Sequence, residues 1–473
     1  MACRHSILAT ASCLSKPKMA VHLLRSVQGD VTRALVCHYS TEGLQPRERA
    51  AAKKYKLVVV GGGSGGCAVA AKFSSLGKEC AVIEPNNMHY YQPIWTLVGA
   101  GLKGFQSSVQ PMSQVLPQSC EWIQERAVKF DPQNNTVELA SGDKVQYDYL
   151  VVAMGIQLDY GKVKGLLDAL EHDTTVASNY HPRWVNKTFP ALQQFRGGNA
   201  IFTFPNTPIK CAGAPQKIMY LADEFFRKAC VRDQTKVLFN TSLGVIFGVK
   251  KYADALQKVI DKKDITVNYK HNLVEVDHKT KTALFEKLDD NNKIVPFKYD
   301  FLHVTPPMSS PDVLKASPLV NEAGWVDVHK HTLQHNKFPN IFGLGDCTSL
   351  PTSKTGAAVA AQCGILHKNL TALVKGNSLE PLYDGYTSCP LITSSRTCIL
   401  AEFDYEGKPL ETLPINQAKE LNLSYNMKAY VMPEIYWKVM MKGRWNGPKT
   451  FRRILHCGFD RRPNLKKSGS GLC

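Results

Sequence analysis

The chain has 473 residues, 44% of them hydrophobic and 21% charged, and its formal net charge is +18. This balance excludes wholesale disorder, and the length allows two or three domains with substantial cores. The positive charge suggests an anionic partner, either a lipid surface or a small anionic substrate; nucleic acid is not favoured, because the sequence has no zinc-finger spacing, RNA-recognition motif or concentrated basic arm.

The N-terminal segment predicts a targeting leader. Residues 1–29 contain four Arg or Lys residues, several Ser and Ala, and no Asp or Glu. This composition is typical of a mitochondrial presequence, and a merely disordered leader is the alternative. We assign residues 1–54 to the leader, with cleavage expected between Arg33 and Lys54.

A strand, a glycine-rich turn, a helix and a second strand follow the leader. Lys56–Val60 is apolar and β-branched, as in a parallel strand buried on both faces. Gly61–Gly66 reads GGGSGG, Cys67–Phe73 predicts a helix, and Cys80–Glu84 predicts a strand that ends in an acid. This order predicts a dinucleotide-binding fold.

Several positions of the turn have a physical role. Gly61 permits a tight turn, Gly63 lets the backbone approach a pyrophosphate, and Gly66 allows the helix to pack closely on the strand. Ser64 lies in the same turn, where the free N–H groups of the helix N-terminus face phosphate. Glu84, about 20 residues further on, can bind the adenosine ribose hydroxyls.

Two later segments favour FAD over NAD as the dinucleotide. Tyr149–Gly155 predicts a strand ending in a small-x-Gly turn, and Asn340–Asp346 a strand ending in Gly-Asp, followed by an alanine-rich helix. Together with the first unit, these pieces resemble the FAD domain of the glutathione-reductase-like flavoproteins, over about Tyr55 to Leu373. The resemblance implies that Asp346 holds the ribityl chain.

A second Rossmann-like unit is predicted inside the FAD domain, but it lacks a nicotinamide signature. Its first strand is Asn199–Phe204, and the turn that follows, Pro205–Pro215, carries prolines and larger side chains where the glycine fingerprint should be. Proline removes N–H donors, and the larger side chains block a pyrophosphate. The next strand, Lys236–Asn240, ends in Asn rather than in an acid for ribose. NAD(P)H binding is therefore not expected.

Two of the 14 cysteines are candidates for chemistry. Cys211 lies between a strand and the predicted helix Gln216–Lys228, with Lys210 beside it; a cation and a helix N-terminus both favour thiolate. Cys389 lies in Asp384–Pro390, which we predict to be a polar loop. Either cysteine alone is more often a structural thiol, but a flavoprotein without a nicotinamide site needs another point of electron entry.

Several segments together resemble the mitochondrial sulfide:quinone oxidoreductase family. They are Ile94–Thr96, Val304–Met308, Tyr386–Pro390 and the loop that carries Cys211. The likeness covers essentially the whole chain after the leader. It implies that Cys211 and Cys389 are the redox pair beside the flavin.

The resemblance also implies a reaction with hydrogen sulfide. Hydrosulfide attacks a sulfur bridge between Cys211 and Cys389, the persulfide forms on Cys389, and the released Cys211 sulfur attacks flavin C4a. Two electrons pass to FAD, glutathione or sulfite removes the outer sulfur, and the reduced flavin reduces ubiquinone. The bridge at rest is either a disulfide or contains an extra sulfur.

Three further residues are assigned to the cofactor. Lys354 opens a helix whose positive end is expected to face the isoalloxazine, where it stabilises anionic reduced flavin; a solvent-facing lysine is the alternative. Gln92 and Val128 match FAD-contacting positions of the family. No metal site is predicted.

The C-terminal region is aromatic and basic. Tyr425–Phe459 mixes Trp, Tyr and Phe with Lys and Arg, as in helices that lie in a bilayer interface, where a water-insoluble quinone can enter. A dimer interface or an amphipathic cap on the core is the alternative. No stretch offers ~20 nearly uncharged apolar residues, so contact with the mitochondrial inner membrane is expected to be peripheral.

The sequence therefore predicts an α/β fold with tandem Rossmann-like dinucleotide-binding domains, of the glutathione-reductase-like FAD type, and a C-terminal membrane-associating segment. The FAD domain is expected at 55–160 and 311–385, the second domain at 161–310, and the region of the redox cysteine and membrane interface at 386–473. Two other functions stay open. A type II NADH:quinone oxidoreductase should carry a second glycine fingerprint, and a non-catalytic FAD-bound redox sensor should show no turnover.

Overall fold

The computed structural model describes residues 52–380 and 382–458. The predicted leader lies outside the described residues up to residue 51, and Lys53 and Lys54 already belong to the first strand. In chain order, the strands of the described residues are β1 (Lys53–Val60), β2 (Cys80–Ile83), β3 (Met88–Tyr90), β4 (Val109–Pro111), β5 (Glu121–Ile123), β6 (Ala127–Asp131), β7 (Thr136–Leu139), β8 (Lys144–Val152), β9 (Gln157–Leu158), β10 (Val176–Ala177), β11 (Gly198–Phe204), β12 (Thr235–Thr241), β13 (Thr266–Asn268), β14 (His271–Asp277), β15 (Thr282–Lys287), β16 (Lys293–Lys298), β17 (Phe301–His303), β18 (Met308–Ser309), β19 (Ile341–Gly343), β20 (Thr387–Ile392) and β21 (Cys398–Phe403). The α-helices are α1 (Ser64–Lys72), α2 (Trp95–Gly99), α3 (Met112–Val115), α4 (Leu166–His172), α5 (Pro182–Gln194), α6 (Ala214–Lys228), α7 (Lys250–Lys263), α8 (Asp312–Lys315), α9 (Gly356–Val374), α10 (Asn422–Asn426), α11 (Met432–Ile435) and α12 (Lys449–Leu455).

The first sheet contains the predicted dinucleotide unit. Its strand order is β5-β2-β1-β8-β7-β6, and β19 joins it by pairing with β8. The pairs of β1 with β2, β1 with β8 and β8 with β19 are all parallel. Every residue of β2 and β19 is buried, as expected for apolar strands covered on both faces. A late segment of the chain therefore completes the sheet that the first described residues begin.

The second sheet has the order β10-β17-β11-β12-β13, and all of its strand pairs are parallel. Helix α6 connects β11 to β12, and α7 connects β12 to β13, as crossovers between parallel strands. The two Rossmann-like sheets confirm the predicted α/β fold class. The antiparallel sheet β14-β15-β16 was not predicted.

Strands β20 and β21 form an antiparallel hairpin in which every residue is buried. Cys389 therefore lies on a buried strand, and the prediction that Asp384–Pro390 is a polar loop is wrong from Thr387 onward. The polar side chains misled because one of them is satisfied inside the core: the Thr387 and Thr355 hydroxyls are 2.9 Å apart and hydrogen-bonded.

The C-terminal region forms a helical run from α10 onward, in which two π-helical stretches, Met427–Val431 and Tyr436–Met440, alternate with α-helix. Its inner side chains, such as Tyr436 and Met440, are buried, whereas Tyr430 is 55% exposed. The run thus caps the core with one face and presents the other to the outside. Within 52–380 and 382–458, no helix is long and apolar enough to cross a membrane.

Candidate cofactor site and cysteine pair

The turn between β1 and α1 leaves no room for side chains at two positions. Gly61 has φ +104°, and a Cβ there would lie 2.5 Å from the carbonyl oxygen of Ala153, just after β8. A Cβ on Gly66 would lie 1.7 Å from the carbonyl oxygen of Gly61. By contrast, a Cβ on Gly63 would meet no atom within 4 Å. The turn is therefore tight toward the sheet and open outward, which is the shape that admits a pyrophosphate.

The N-terminus of α1 offers donors that suit an anion. Gly63 is its N-cap, no side chain of the described residues caps it, and its first turn holds no acid. The free N–H groups and the helix dipole therefore favour phosphate. Glu84, directly after β2, is held facing the turn by the N–H groups of Gly62 (2.7 Å) and Asn86 (2.8 Å). These residues fit the FAD that the sequence predicts.

Cys211 and Cys389 meet, although 178 positions separate them in the chain; their Sγ atoms are 3.6 Å apart. Cys211 lies in the loop between β11 and α6 and adopts a left-handed backbone conformation, with φ +57°. Its N–H donates to the carbonyl oxygen of Lys354 at 2.7 Å, just before α9. The structure thus joins the loop of the second sheet to the hairpin and to the start of α9.

Gly213, which was not among the predicted site residues, allows the two sulfurs to approach each other. A Cβ on Gly213 would lie 2.5 Å from Cys389 Sγ and 2.4 Å from Leu391 Cδ2. Because glycine has no side chain, β20 can pack directly on the loop. A glycine two residues after a candidate cysteine, immediately before a helix, is a signal that the sequence does contain.

A buried lysine, also missed, stabilises a thiolate at Cys211. Lys217 lies in the first turn of α6, and its Nζ is 3.3 Å from Cys211 Sγ. The hydrogen bond from Cys389, and then the Lys217 ammonium, hold the pKa of Cys211 well below its usual range. The same sulfur contact, with burial, raises the pKa of Cys389. In the reduced pair, Cys211 is therefore the thiolate and Cys389 the thiol that donates to it.

A second buried lysine reaches the site from the C-terminal helical run. Lys428 Nζ donates to the carbonyl oxygen of Pro93 at 2.8 Å. Burial and then repulsion by Lys217 lower the pKa of Lys428 to about 8, while the negative charge of Cys211 opposes this shift. The site therefore includes a residue from the far end of the described chain, for which no local sequence signal exists.

The predicted FAD residues Asp346, Lys354 and Gln92 lie around the Cys211 loop. Lys354 Nζ donates to the Asp346 carbonyl oxygen at 2.6 Å and lies 3.8 Å from the centre of the Trp325 ring, so it is not a solvent-facing lysine. Burial raises the pKa of Asp346, against the charges of Lys354 and Lys210. Lys210 Nζ donates to Gln92 Oε1 at 2.6 Å, and burial lowers the pKa of Lys210 to about 8.

Val128 lies apart from these residues. It is on β6, at the bulge between Ala127 and Lys129, and 43% of its surface is exposed. Its contact with FAD remains a prediction from the resemblance alone. Among the described residues, no group of three or more His, Cys, Asp or Glu side chains could hold a metal ion.

The proline-containing turn of the second sheet is tied down by the chain itself. The Asn206 N–H donates to Asn272 Oδ1 at 2.8 Å, and the Thr207 hydroxyl accepts from the Met308 N–H at 3.0 Å. The turn thus presents the sulfur of Cys211, where a nicotinamide-binding turn would present backbone donors to a pyrophosphate.

Comparison with known proteins identifies the family. Residues 55–188 match the pyridine nucleotide-disulphide oxidoreductase family. The chain is 52% identical over 408 residues to the mitochondrial sulfide:quinone oxidoreductase of Mus musculus, covering 86% of this chain and 90% of that protein. The corresponding protein of Dictyostelium discoideum is 42% identical over 414 residues, with 86% and 90% covered.

A solved structure agrees with this result at the level of the fold. The sulfide:quinone oxidoreductase of the hyperthermophilic bacterium Aquifex aeolicus has a TM-score of 0.72 at 20% identity, covering 89% of this chain and 100% of that one. From the identity and coverage of its mitochondrial relatives, the chain belongs to the sulfide:quinone oxidoreductase family.

Proposed function

We propose that the chain is a sulfide:quinone oxidoreductase, which oxidises hydrogen sulfide at Cys211 and Cys389 and passes the electrons through FAD to ubiquinone. The observation that carries the proposal is the 3.6 Å contact between the two sulfurs, beside the Lys217 ammonium. Membership of the family supports the reaction. The turn without a nicotinamide fingerprint supports electron entry through the cysteines.

The first step is the attack of hydrosulfide on the oxidised cysteine pair. Attack on the Cys389 sulfur breaks its bond to the bridge, forms Cys389–S–SH, and releases Cys211 as a thiolate when the bridge is a disulfide. This direction follows from the leaving group, because Lys217 stabilises negative charge on Cys211 and the thiol of lower pKa leaves faster. The positive charges of Lys217 and Lys428 also attract hydrosulfide.

The chain's own residues hold the cofactor. When bound, FAD supplies a two-electron acceptor that ubiquinone can reoxidise. The Lys354 ammonium, fixed against the Asp346 carbonyl, puts positive charge next to the N-terminus of α9, which Thr355 caps. We assign the pyrophosphate to the turn of Gly61, Gly63, Ser64 and Gly66, the ribose to Glu84, the ribityl chain to Asp346, and the isoalloxazine to Lys354. Gln92 and Val128 are assigned to FAD without a stated part of the cofactor.

The sulfur acceptor in this proposal is glutathione or sulfite. Attack of either nucleophile on the outer sulfur of the persulfide takes that sulfur away and leaves Cys389 as a thiolate. Formation of the Cys389–Cys211 bond from the two thiolates would release two electrons, which FAD, when bound, would accept. Both acceptors are anions, which suits the positive charge of Lys217 and Lys428.

We place the enzyme on the mitochondrial inner membrane, in peripheral contact. The outer face of the C-terminal region combines exposed apolar side chains with cations, as an interfacial helix does. The exposed apolar side chains are those of Leu423, Tyr430, Val431, Phe451, Ile454 and Leu455.

The test is an anaerobic titration of the flavin absorbance of the detergent-purified protein, with sulfide and separately with NADH, followed by a ubiquinone analogue. We expect sulfide to bleach the flavin and quinone to restore it. Bleaching should be lost in Cys211→Ser and Cys389→Ser and kept in Cys230→Ser, a matched exchange at an exposed cysteine. Bleaching by NADH alone overturns the proposal in favour of an NADH:quinone oxidoreductase, and no bleaching by either donor favours a redox sensor.

The acceptor is identified from the product of turnover with sulfide and quinone. Glutathione should yield glutathione persulfide, and sulfite should yield thiosulfate, both of which mass spectrometry resolves. Turnover that continues at full rate without either acceptor contradicts this part of the proposal.

A further inference from the structure

Tyr436 connects the C-terminal helical run to the glycine-rich turn. Its side chain is buried, and its hydroxyl lies 2.8 Å from Ser64 Oγ and 2.6 Å from His89 Nε2. His89 is itself buried, and its Nδ1 lies 2.9 Å from the carbonyl oxygen of Gly62. A chain of hydrogen bonds thus runs from the tail to the turn.

The donor and acceptor of each hydrogen bond in this chain follow from the Gly62 carbonyl. The Gly62 carbonyl can only accept, so His89 Nδ1 carries a proton and donates to it. Burial lowers the pKa of His89 to about 4, so at neutral pH the ring is uncharged and its Nε2 accepts. Tyr436 therefore donates to His89, and its oxygen is free to accept from the Ser64 hydroxyl.

This chain determines how the turn faces a ligand. In a trans peptide, the C=O of one residue and the N–H of the next point in opposite directions. With the Gly62 carbonyl held toward His89, the Gly63 N–H is aimed away from His89, and Gly63 is also a position where an added Cβ would meet no atom within 4 Å. The Cys67 thiol also donates to the Gly62 carbonyl, at 3.0 Å.

The same tail holds the far end of α1. Lys72 Nζ donates to the carbonyl oxygen of Gly443 at 3.0 Å and to Asn446 Oδ1 at 2.7 Å. A Cβ on Gly443 would lie 2.7 Å from the backbone of Ala71, so the two segments are in close contact. The tail therefore contacts α1 at both its first and its last turn.

We propose that Tyr436 is a positioning residue for the cofactor: through His89 it fixes the Gly62 carbonyl, so that docking of the C-terminal tail controls how firmly the glycine-rich turn retains FAD. The proposal rests on the binding of FAD, not on the identity of the electron donor. In this proposal, the C-terminal tail belongs to the cofactor site through its inner face and contacts the membrane through its outer face.

The experiment measures FAD release from holoenzyme of Tyr436→Phe, which lacks only the hydroxyl, by the rise in free-flavin fluorescence after dilution. Because the variant leaves buried Nε2 of His89 without a partner, we expect release about tenfold faster than in the unaltered chain. Tyr430→Phe is the matched control, since Tyr430 lies in the same helical run and is exposed; its release rate should not change.

Two further measurements separate positioning from damage to the tail. The rise in melting temperature that FAD produces over the apoprotein should shrink in Tyr436→Phe. Adding His89→Phe to that variant should cost less than His89→Phe alone, because both variants act through one chain of hydrogen bonds. The proposal is overturned if Tyr436→Phe and Tyr430→Phe release FAD at the same rate. It is also overturned if Tyr436→Phe lowers the melting temperature of the apoprotein and the holoenzyme by the same amount. Sulfide bleaching of the same holoenzyme reports the proposed function independently.

Discussion

The Nζ of Lys217 lies 3.3 Å from the Sγ of Cys211, across the first turn of α6. Burial alone would lower the pKa of Lys217, but the negative charge of the Cys211 thiolate raises that pKa above its usual value. Ammonium and thiolate therefore stabilise each other, and the two cysteines are not equivalent.

Exchange of Lys217 for methionine should raise the pKa of Cys211, since the chain keeps its length but loses the charge. Because the pKa of Cys211 lies well below its usual range, we expect the midpoint of its alkylation by iodoacetamide to move up by about one pH unit when the ammonium is lost. The measurement is the pH profile of the alkylation rate, with Lys228→Met, an exposed lysine of the same helix, as control. An unchanged profile would mean that the ammonium does not set the charge of Cys211.

Gly213→Ala should keep the sulfurs apart, because its Cβ would fall 2.5 Å from Cys389 Sγ. We expect loss of the Cys211–Cys389 bridge, measured by peptide mass spectrometry, and destabilisation by about 1–3 kcal/mol from overpacking. Gly248→Ala, where a Cβ meets nothing within 4 Å, should change neither quantity. A full yield of the bridge in Gly213→Ala would contradict the packing argument.

Acid should destabilise the protein through two buried histidines. Burial lowers the pKa of His89 to about 4 and that of His303 to about 3, and in the unfolded chain both are near 6.5. The unfolded state therefore binds more protons below pH 6.5, so stability is full above that pH and falls as pH drops toward 4. The loss is ~2 kcal/mol per histidine at pH 5.

Unfolding midpoints in urea at pH 5 and pH 7 test this expectation. His303→Gln should weaken the pH dependence, because one of the two shifted groups is gone, whereas His172→Gln, at an exposed site, should preserve it. If His303→Gln left the difference between the two midpoints intact, the histidine would not be the source.

Removing the negative charge of Asp223 should destabilise the fold. Its side chain is fully buried and bonds to Arg227, Arg232 and Lys263. Burial alone would raise the pKa of Asp223, but these three cations lower it below its usual value. Asp223→Asn leaves their charges uncompensated and should cost about 3–5 kcal/mol in the free energy of unfolding. The exposed Asp233→Asn is the control, and an equal, small loss in both variants would refute the expectation.

The local parts of the fold could be predicted from the sequence. The unit from β1 to Glu84 was predicted because its signals are short-range: a buried apolar strand, a glycine turn and an acid about 20 residues on. The antiparallel sheet of β14, β15 and β16 was missed because β14 does not alternate buried and exposed residues and β16 is largely exposed, so both leave a weak pattern.

The parts of the site that depend on long-range contacts could not be predicted. Thr387 and Ser388 indicate a loop when only neighbours in sequence are considered, but pairing with β21 buries them. Lys428 and Tyr436 reach the site only because the C-terminal run folds back onto Pro93 and onto α1, which no spacing in the sequence encodes. The contact of Cys211 with Cys389 was expected from the family resemblance, while its charge distribution depends on Lys217.

Strand β19 is synthesised long after β8, the strand with which it pairs, and this order affects how the chain folds during synthesis. Until Ile341–Gly343 has emerged, the β8 edge made of Leu150, Val151 and Val152 has no parallel neighbour on that side. An unpaired apolar strand edge invites pairing with other chains. We therefore expect a nascent chain, or one cut before Ile341, to be prone to aggregation, and the cofactor site to form only when the polypeptide is nearly complete.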